Sequence, residues 1–150
     1  MQPIDISVVI MAYNREDFIY KAIESVINQS LDNDRYEIIV LTNFKVPNSY
    51  THVTNIRFVG YTNLTMGEVI SLGVEESKGK IISFLDDDDI FSSEKLQKVL
   101  DIFNQNPGLI FYHNNYMRFR SRSFPIISLE RGDFFSKYEL YLNKRLSTPS

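Results

Sequence analysis

Residues 86–89 are four consecutive aspartates, and they stand directly behind an apolar run, "KIISFL", at Lys80–Leu85. Adjacent carboxylates repel. At a few ångströms and a surface-like dielectric, each close pair costs roughly a few kcal/mol. Such a run is either a solvated turn or a seat for positive charge. Carboxylates at the end of a buried strand form a hard-oxygen site, suited to magnesium, manganese or calcium rather than to soft-ligand metals. Magnesium in particular takes one or two carboxylates and completes its shell with substrate phosphates and water. The positive partner this points to is a divalent ion that arrives with a diphosphate, because a bridging metal turns repulsion between two anions into attraction. Neighbouring side chains on an extended chain point apart, so not all four aspartates can reach one ion.

Composition narrows the alternatives. The chain has 150 residues, 43% hydrophobic and 23% charged, which suits one globular domain rather than a disordered segment. A net charge of -3, with four acids in one loop, argues against a nucleic-acid partner. With no cysteine, disulfides and thiolate metal sites are excluded, and with only His52 and His113 a zinc site is disfavoured. No apolar run approaches the roughly 18 residues of a membrane span. The opening "MQPIDIS" lacks the basic-then-apolar order of a secretory signal. The expected location is cytoplasmic, with peripheral membrane attachment left open.

The elements that would position the acidic loop can be read from periodicity. "ISVVIMA" (Ile6–Ala12) and "YEIIVLT" (Tyr36–Thr42) are continuous apolar runs, as expected of strands buried on both faces. Asn55–Tyr61 and Lys80–Leu85 read as two further strands, and Leu109–Asn115 as a fifth. Between the first two strands, Phe18, Ile19, Ala22, Ile23, Val26 and Ile27 recur at helical spacing over Arg15–Gln29, with Asn14 a candidate cap and Glu16 and Asp17 at the positive end. Met66–Ser77 is expected to be helical, with Gly79 a left-handed residue in the turn that follows. Ser93 is expected to cap a helix carrying Leu96, Val99, Leu100 and Phe103, ended by Asn106-Pro107-Gly108. Strands alternating with helices predict an α/β fold, a mainly parallel sheet with helices on both faces. Ligands of such sheets bind at the carboxyl ends of the strands. Tyr13-Asn14, Thr42-Asn43 and Asp86–Asp89 each sit at such an end and are expected on one edge. Beyond residue 115 the pattern changes. Tyr116–Phe124 mixes arginines with aromatics, which reads as an exposed hairpin or a contact for acidic lipid, and Ser136–Arg145 reads as a short helix.

Three segments, "SVVIMAYNREDFIYKAIESVINQS", "YEIIV" and "SKGKIISFLDDDDIFSSEKL", in this order and spacing, resemble the nucleotide-binding half of family 2 glycosyltransferases. The resemblance implies the GT-A fold. It also implies transfer of a sugar from a nucleotide-diphospho-sugar donor to a glycan or lipid-linked acceptor, inverting and dependent on Mn2+ or Mg2+. It assigns residues 1–115 to donor binding and 116–150 to the start of an acceptor-side region. Tyr13 matches the residue that packs against the base, and its ring at a strand tip can offer a stacking face. Asn14 matches the turn residue, a role the composition does not separate from helix capping, and Arg15 either meets phosphate or lies on a solvated helix start. Asp86 and Asp88 match the Asp-x-Asp pair, with Asp88 on the metal and Asp86 beside the ribose or a metal-bound water. Asp87 and Asp89 are expected to act indirectly or to be exposed. The implied nucleotide-binding set is Ala12, Tyr13, Asn14, Arg15, Asn43, Asp86 and Asp87, and the implied metal ligands are Asp88 and Asp86.

Two stretches depart from the family pattern. Asn43 stands where an aspartate commonly accepts from uracil, and its amide can accept or donate. Val69-Ile70-Ser71-Leu72-Gly73 aligns with a stretch that usually carries an arginine facing the diphosphate, and Lys78 and Lys80 flank a turn on the far side of the sheet. The general base of an inverting transfer is expected beyond Ser150, which reads the chain as an N-terminal piece. Glu130, Asp133 and Glu139 are the nearby acids within it. The alternatives are a non-catalytic nucleotide-sugar-binding module and a phosphatase-like Asp-x-Asp enzyme of the haloacid dehalogenase kind. The latter is disfavoured because its motif follows the first strand rather than the fourth.

Overall fold

A computed structural model describes residues 3–45, 50 and 52–114. The chain divides into two compact units, the first ending at Asp101 and the second beginning at Ile102. Four strands form one sheet: β1 (Ile6–Ala12), β2 (Tyr36–Thr42), β3 (Ile56–Gly60) and β4 (Ile81–Asp86). Their order is β3-β2-β1-β4, and every pairing is parallel. The helices are α1 (Glu16–Ile27), α2 (Met66–Glu76) and α3 (Lys95–Gln105).

The two most apolar strands occupy the centre of the sheet. All seven residues of β2 are buried, and so is every residue of β1 except Met11. Val9, Ile39 and Leu41 pack with Val69 of α2 on one face. Strand alternation turns Tyr36 to the opposite face. There its hydroxyl donates to the Val26 carbonyl of α1 at 2.9 Å, so α1 and α2 cover opposite sides. Ile19, Ile23 and Val26 of α1 are fully buried, and burying each such side chain stabilises by about 1.5–3 kcal/mol.

Local chemistry at the element ends differs from expectation in several places. The residue flanking the start of α1 is Arg15, with no side-chain cap, while Asn14 takes the left-handed conformation (φ 54°) and is a turn residue rather than the cap. Phe18 is exposed and falls off the buried stripe of α1. At α2, Thr65 and Glu68 form a reciprocal capping box. The helix α3 begins at Lys95, one position later than a cap at Ser93 requires. Gly79 has no positive φ. Glycine is needed there for space, because a Cβ would meet the backbone of β1, 2.6 Å from the Ile6 carbonyl carbon. Among the described residues the expected fifth strand is not seen: residues 109–114 are irregular. A strand needs a partner as well as apolar residues. Residue 115, Tyr116–Phe124, Ser136–Arg145, Glu130, Asp133 and Glu139 lie outside the described residues.

At the amino edge of the sheet, Ser7 and Glu37 are buried and hold the α2–β4 turn. Ser7 Oγ donates to Glu37 Oε1 at 2.7 Å, the Lys78 N–H donates to the same carboxylate at 2.7 Å, and the Gly79 N–H donates to Ser7 Oγ at 2.8 Å. Lys80 lies 3.8 Å from Asp5 at this edge, far from the acidic loop, as expected.

Candidate functional site

The parallel order sends β1, β2 and β4 to the same edge, and their tips meet there. β4 ends at Asp86, in register with Met11 one residue before the end of β1. The chain then turns. Asp87 is buried, while Asp86, Asp88 and Asp89 are exposed. Asp87 Oδ2 accepts from the Tyr13 N–H at 3.3 Å, and its other oxygen pairs with the Arg15 guanidinium. Arg15 forks: its second arm donates from Nη1 to Asp88 Oδ2 at 2.6 Å. The β1 and β4 loops are thus joined by one bond from a backbone N–H to a carboxylate and by a guanidinium shared between two carboxylates.

The β2 tip joins through a pair of amides. Asn43 Oδ1 accepts from the Asn14 N–H at 3.1 Å, and Asn43 Nδ2 donates to Asn14 Oδ1 at 2.8 Å. A backbone N–H can only donate, so Asn43 must turn its oxygen toward it. Asparagine suits the left-handed turn at position 14 because its short polar side chain tolerates that conformation. Ala12, the buried end of β1, is held from beneath: the Tyr61 hydroxyl donates to its carbonyl at 3.0 Å. Tyr61 was legible only as the end of a strand. Its role depends on where β3 delivers it, beyond two intervening elements. Tyr13 is 56% exposed at the same edge.

The charges of the loop act on one another. Partial burial, then the fields of Asp89, Asp88 and Asp87, push the Asp86 carboxyl above the usual carboxylate range, with Arg15 working the other way. Desolvation opposes the charge on Arg15, but Asp87 and Asp88 outweigh it and hold the guanidinium above its ordinary value. Among the described residues, no group of three or more His, Asp or Glu side chains is arranged to hold a metal alone. Asp86 and Asp88 supply two exposed hard-oxygen carboxylates. That donor set fits a cation that shares its shell with a diphosphate. At the second departure from the family pattern, Val69 and Gly73 face the core, and Ile70 and Ser71 are exposed.

Comparison with known proteins matches residues 7–148 to the family described as Glycosyl transferase family 2. The chain belongs to glycosyl transferase family 2. An uncharacterized glycosyltransferase of Haemophilus influenzae is 36% identical to this family member over 115 residues, covering 72% of this chain and 38% of the relative. The chain spans less than half the length of the curated relatives it matches, from 13% to 46% of each. In structure it is similar to S. aureus TarS 1-349 in complex with UDP-GlcNAc, with a TM-score of 0.64 at 18% identity over 81% of this chain and 37% of that one. It is also similar to the mannosyltransferase PcManGT from Pyrobaculum calidifontis in complex with GDP-Man and Mn2+, with a TM-score of 0.61 at 14% identity over 72% of this chain and 36% of that one. The parallel sheet covered by helices is the GT-A arrangement implied by the resemblance. Among the described residues, no helix is long and apolar enough to cross a membrane.

Proposed function

We propose that this chain is the donor-binding part of a glycosyltransferase that uses a nucleotide-diphospho-sugar and a divalent cation, and that inverts the anomeric centre. The observation that carries the reading is the convergence of Tyr13, Arg15, Asn43 and Asp86–Asp88 from three strand tips on one edge. Two structural neighbours were determined with UDP-GlcNAc and with GDP-Man and Mn2+, which supports this class of donor. The exposed Tyr13 ring would stack on the base. Asn43 would meet the base edge with the amide hydrogen that Asn14 leaves unused. Asp88 and Asp86 would hold the cation, which when bound supplies stabilisation of negative charge on the leaving nucleoside diphosphate. Arg15 would complement the same charge from the protein side. An acceptor and a general base would come from outside the described residues.

The reading is tested by calorimetry of the chain with UDP and GDP, with and without Mn2+. Nucleotide binding is expected to require Mn2+ and to weaken by about tenfold or more in Asp88→Asn, as when a charged partner of a bound ion is lost. A folded chain that takes up neither nucleotide in Mn2+ would refute it.

A further inference from the structure

Arg15 holds the carboxylate through which the cation would be bound. Its two arms are unequal. One reaches Asp87, whose side chain is fully buried, and the other reaches Asp88, whose side chain is 45% exposed. A buried carboxylate needs its partner far more than an exposed one does, so Asp87 is the anchor and Asp88 the releasable contact. From this we infer that Arg15 is an internal counter-cation that competes with the metal for Asp88, so that metal and diphosphate load together rather than independently. The inference rests on the donor-site reading above.

The physical argument has three steps. Arg15 Nη1 lies 2.6 Å from Asp88 Oδ2, within the space a metal on that oxygen would occupy. Two cations a few ångströms apart repel, so a metal arriving alone must break the contact and meet the displaced charge. A diphosphate removes that conflict, because the freed guanidinium arm is a planar donor pair that matches phosphate oxygens. Each ligand then raises the affinity for the other by the same factor. Asp87 keeps the guanidinium at the site throughout.

The test measures free Mn2+ by electron paramagnetic resonance in titrations of the chain with and without UDP or GDP. It compares the wild type, Arg15→Gln and Asp88→Asn, with folding followed by circular dichroism. Without nucleotide, Arg15→Gln is expected to bind Mn2+ about two- to fivefold more tightly than the wild type, the scale of a half-exposed charge pair. The factor by which nucleotide tightens Mn2+ should shrink by a similar amount. Arg15→Lys keeps Asp87 neutralised through one ammonium without forking to Asp88. It is expected to show the same tightening, and it decides the matter if Arg15→Gln does not fold. If Asp88→Asn loses Mn2+ while the Arg15 variants bind it no better than the wild type, the competition is refuted and the donor site stands. If Asp88→Asn binds Mn2+ like the wild type, both readings fall.

Discussion

Replacing Gly79 by alanine separates two reasons for a glycine in the α2–β4 turn. A left-handed glycine would be strained by any side chain but eased by asparagine; a glycine required for close approach would not be. The structure supports the second reason. A Cβ would lie 2.6 Å from the Ile6 carbonyl carbon and 2.9 Å from Ser7 Oγ, and would also overlap the Ser7 backbone nitrogen. These atoms belong to the buried central strand, so no flexible side-chain end can swing away. Forcing the turn outward is an overpacking event of about 1–3 kcal/mol. The same displacement stretches the bonds from Gly79 N–H to Ser7 Oγ and from Lys78 N–H to the Glu37 carboxylate, a further loss of about 1–3 kcal/mol. Restricting the unfolded chain returns about 0.4–1 kcal/mol. The net expectation is a destabilisation of about 1–5 kcal/mol, centred on about 3, a large share of the roughly 5–15 kcal/mol that keeps a domain folded. Urea unfolding followed by circular dichroism measures it. The matched control is Gly67→Ala in the first turn of α2, where a Cβ meets nothing within 4 Å, expected to be neutral or stabilising by up to about 1 kcal/mol. Gly79→Asn should be at least as damaging as alanine. A Gly79→Ala loss below about 0.5 kcal/mol, the scale of an inert surface change, or rescue by asparagine, would refute the reasoning.

Two further expectations concern the site edge. The Asp86 carboxyl is raised above its ordinary value by burial and by its acidic neighbours, so the folded state holds its proton more tightly than the unfolded state does. Stability is therefore lost as pH climbs through the window between the ordinary and the raised value. After allowance for solvent screening, Asp86→Asn should stabilise by a few tenths to about 1 kcal/mol at neutral pH, with the gain fading below the usual carboxylate range; urea midpoints at several pH values check both the sign and the window. Tyr61→Phe removes the buried bond to the Ala12 carbonyl and should lower stability by about 1–3 kcal/mol, since the carbonyl is left without that donor; thermal unfolding with an intact far-ultraviolet spectrum checks it, and an unchanged midpoint would show that the bond contributes nothing.

Legibility followed the range of the forces involved. The ends of β1 and β2 coincide with those read from the sequence because burial on both faces makes the whole strand apolar. The bounds of β3 and β4 shift by a residue because these strands are half exposed and carry a weaker pattern. Residues 109–114 looked like a strand because Leu109, Ile110 and Phe111 carry the composition of one, but pairing is not a local property. Phe18 fits helical spacing and still lies outside the buried stripe, since spacing alone does not set its width. At the site, residue types and the shared edge could be read from spacing and topology. The connections could not, because Arg15 and Asp88 lie 73 residues apart, and Asn14 and Asn43 lie 29 apart. Asp87 was the least legible: four identical letters give no sign that the second is turned inward.

The reciprocal amides of Asn14 and Asn43 make two distant positions a single heritable unit. An aspartate at 43 would still receive the Asn14 N–H, but its other oxygen would confront the Asn14 carbonyl oxygen. Relief comes when the Asn14 amide rotates by half a turn, which swaps the atom it shows to solvent from nitrogen to oxygen. The polarity displayed at residue 14 is thus written at residue 43, and an exchange at either one rewrites what an incoming molecule meets at the other.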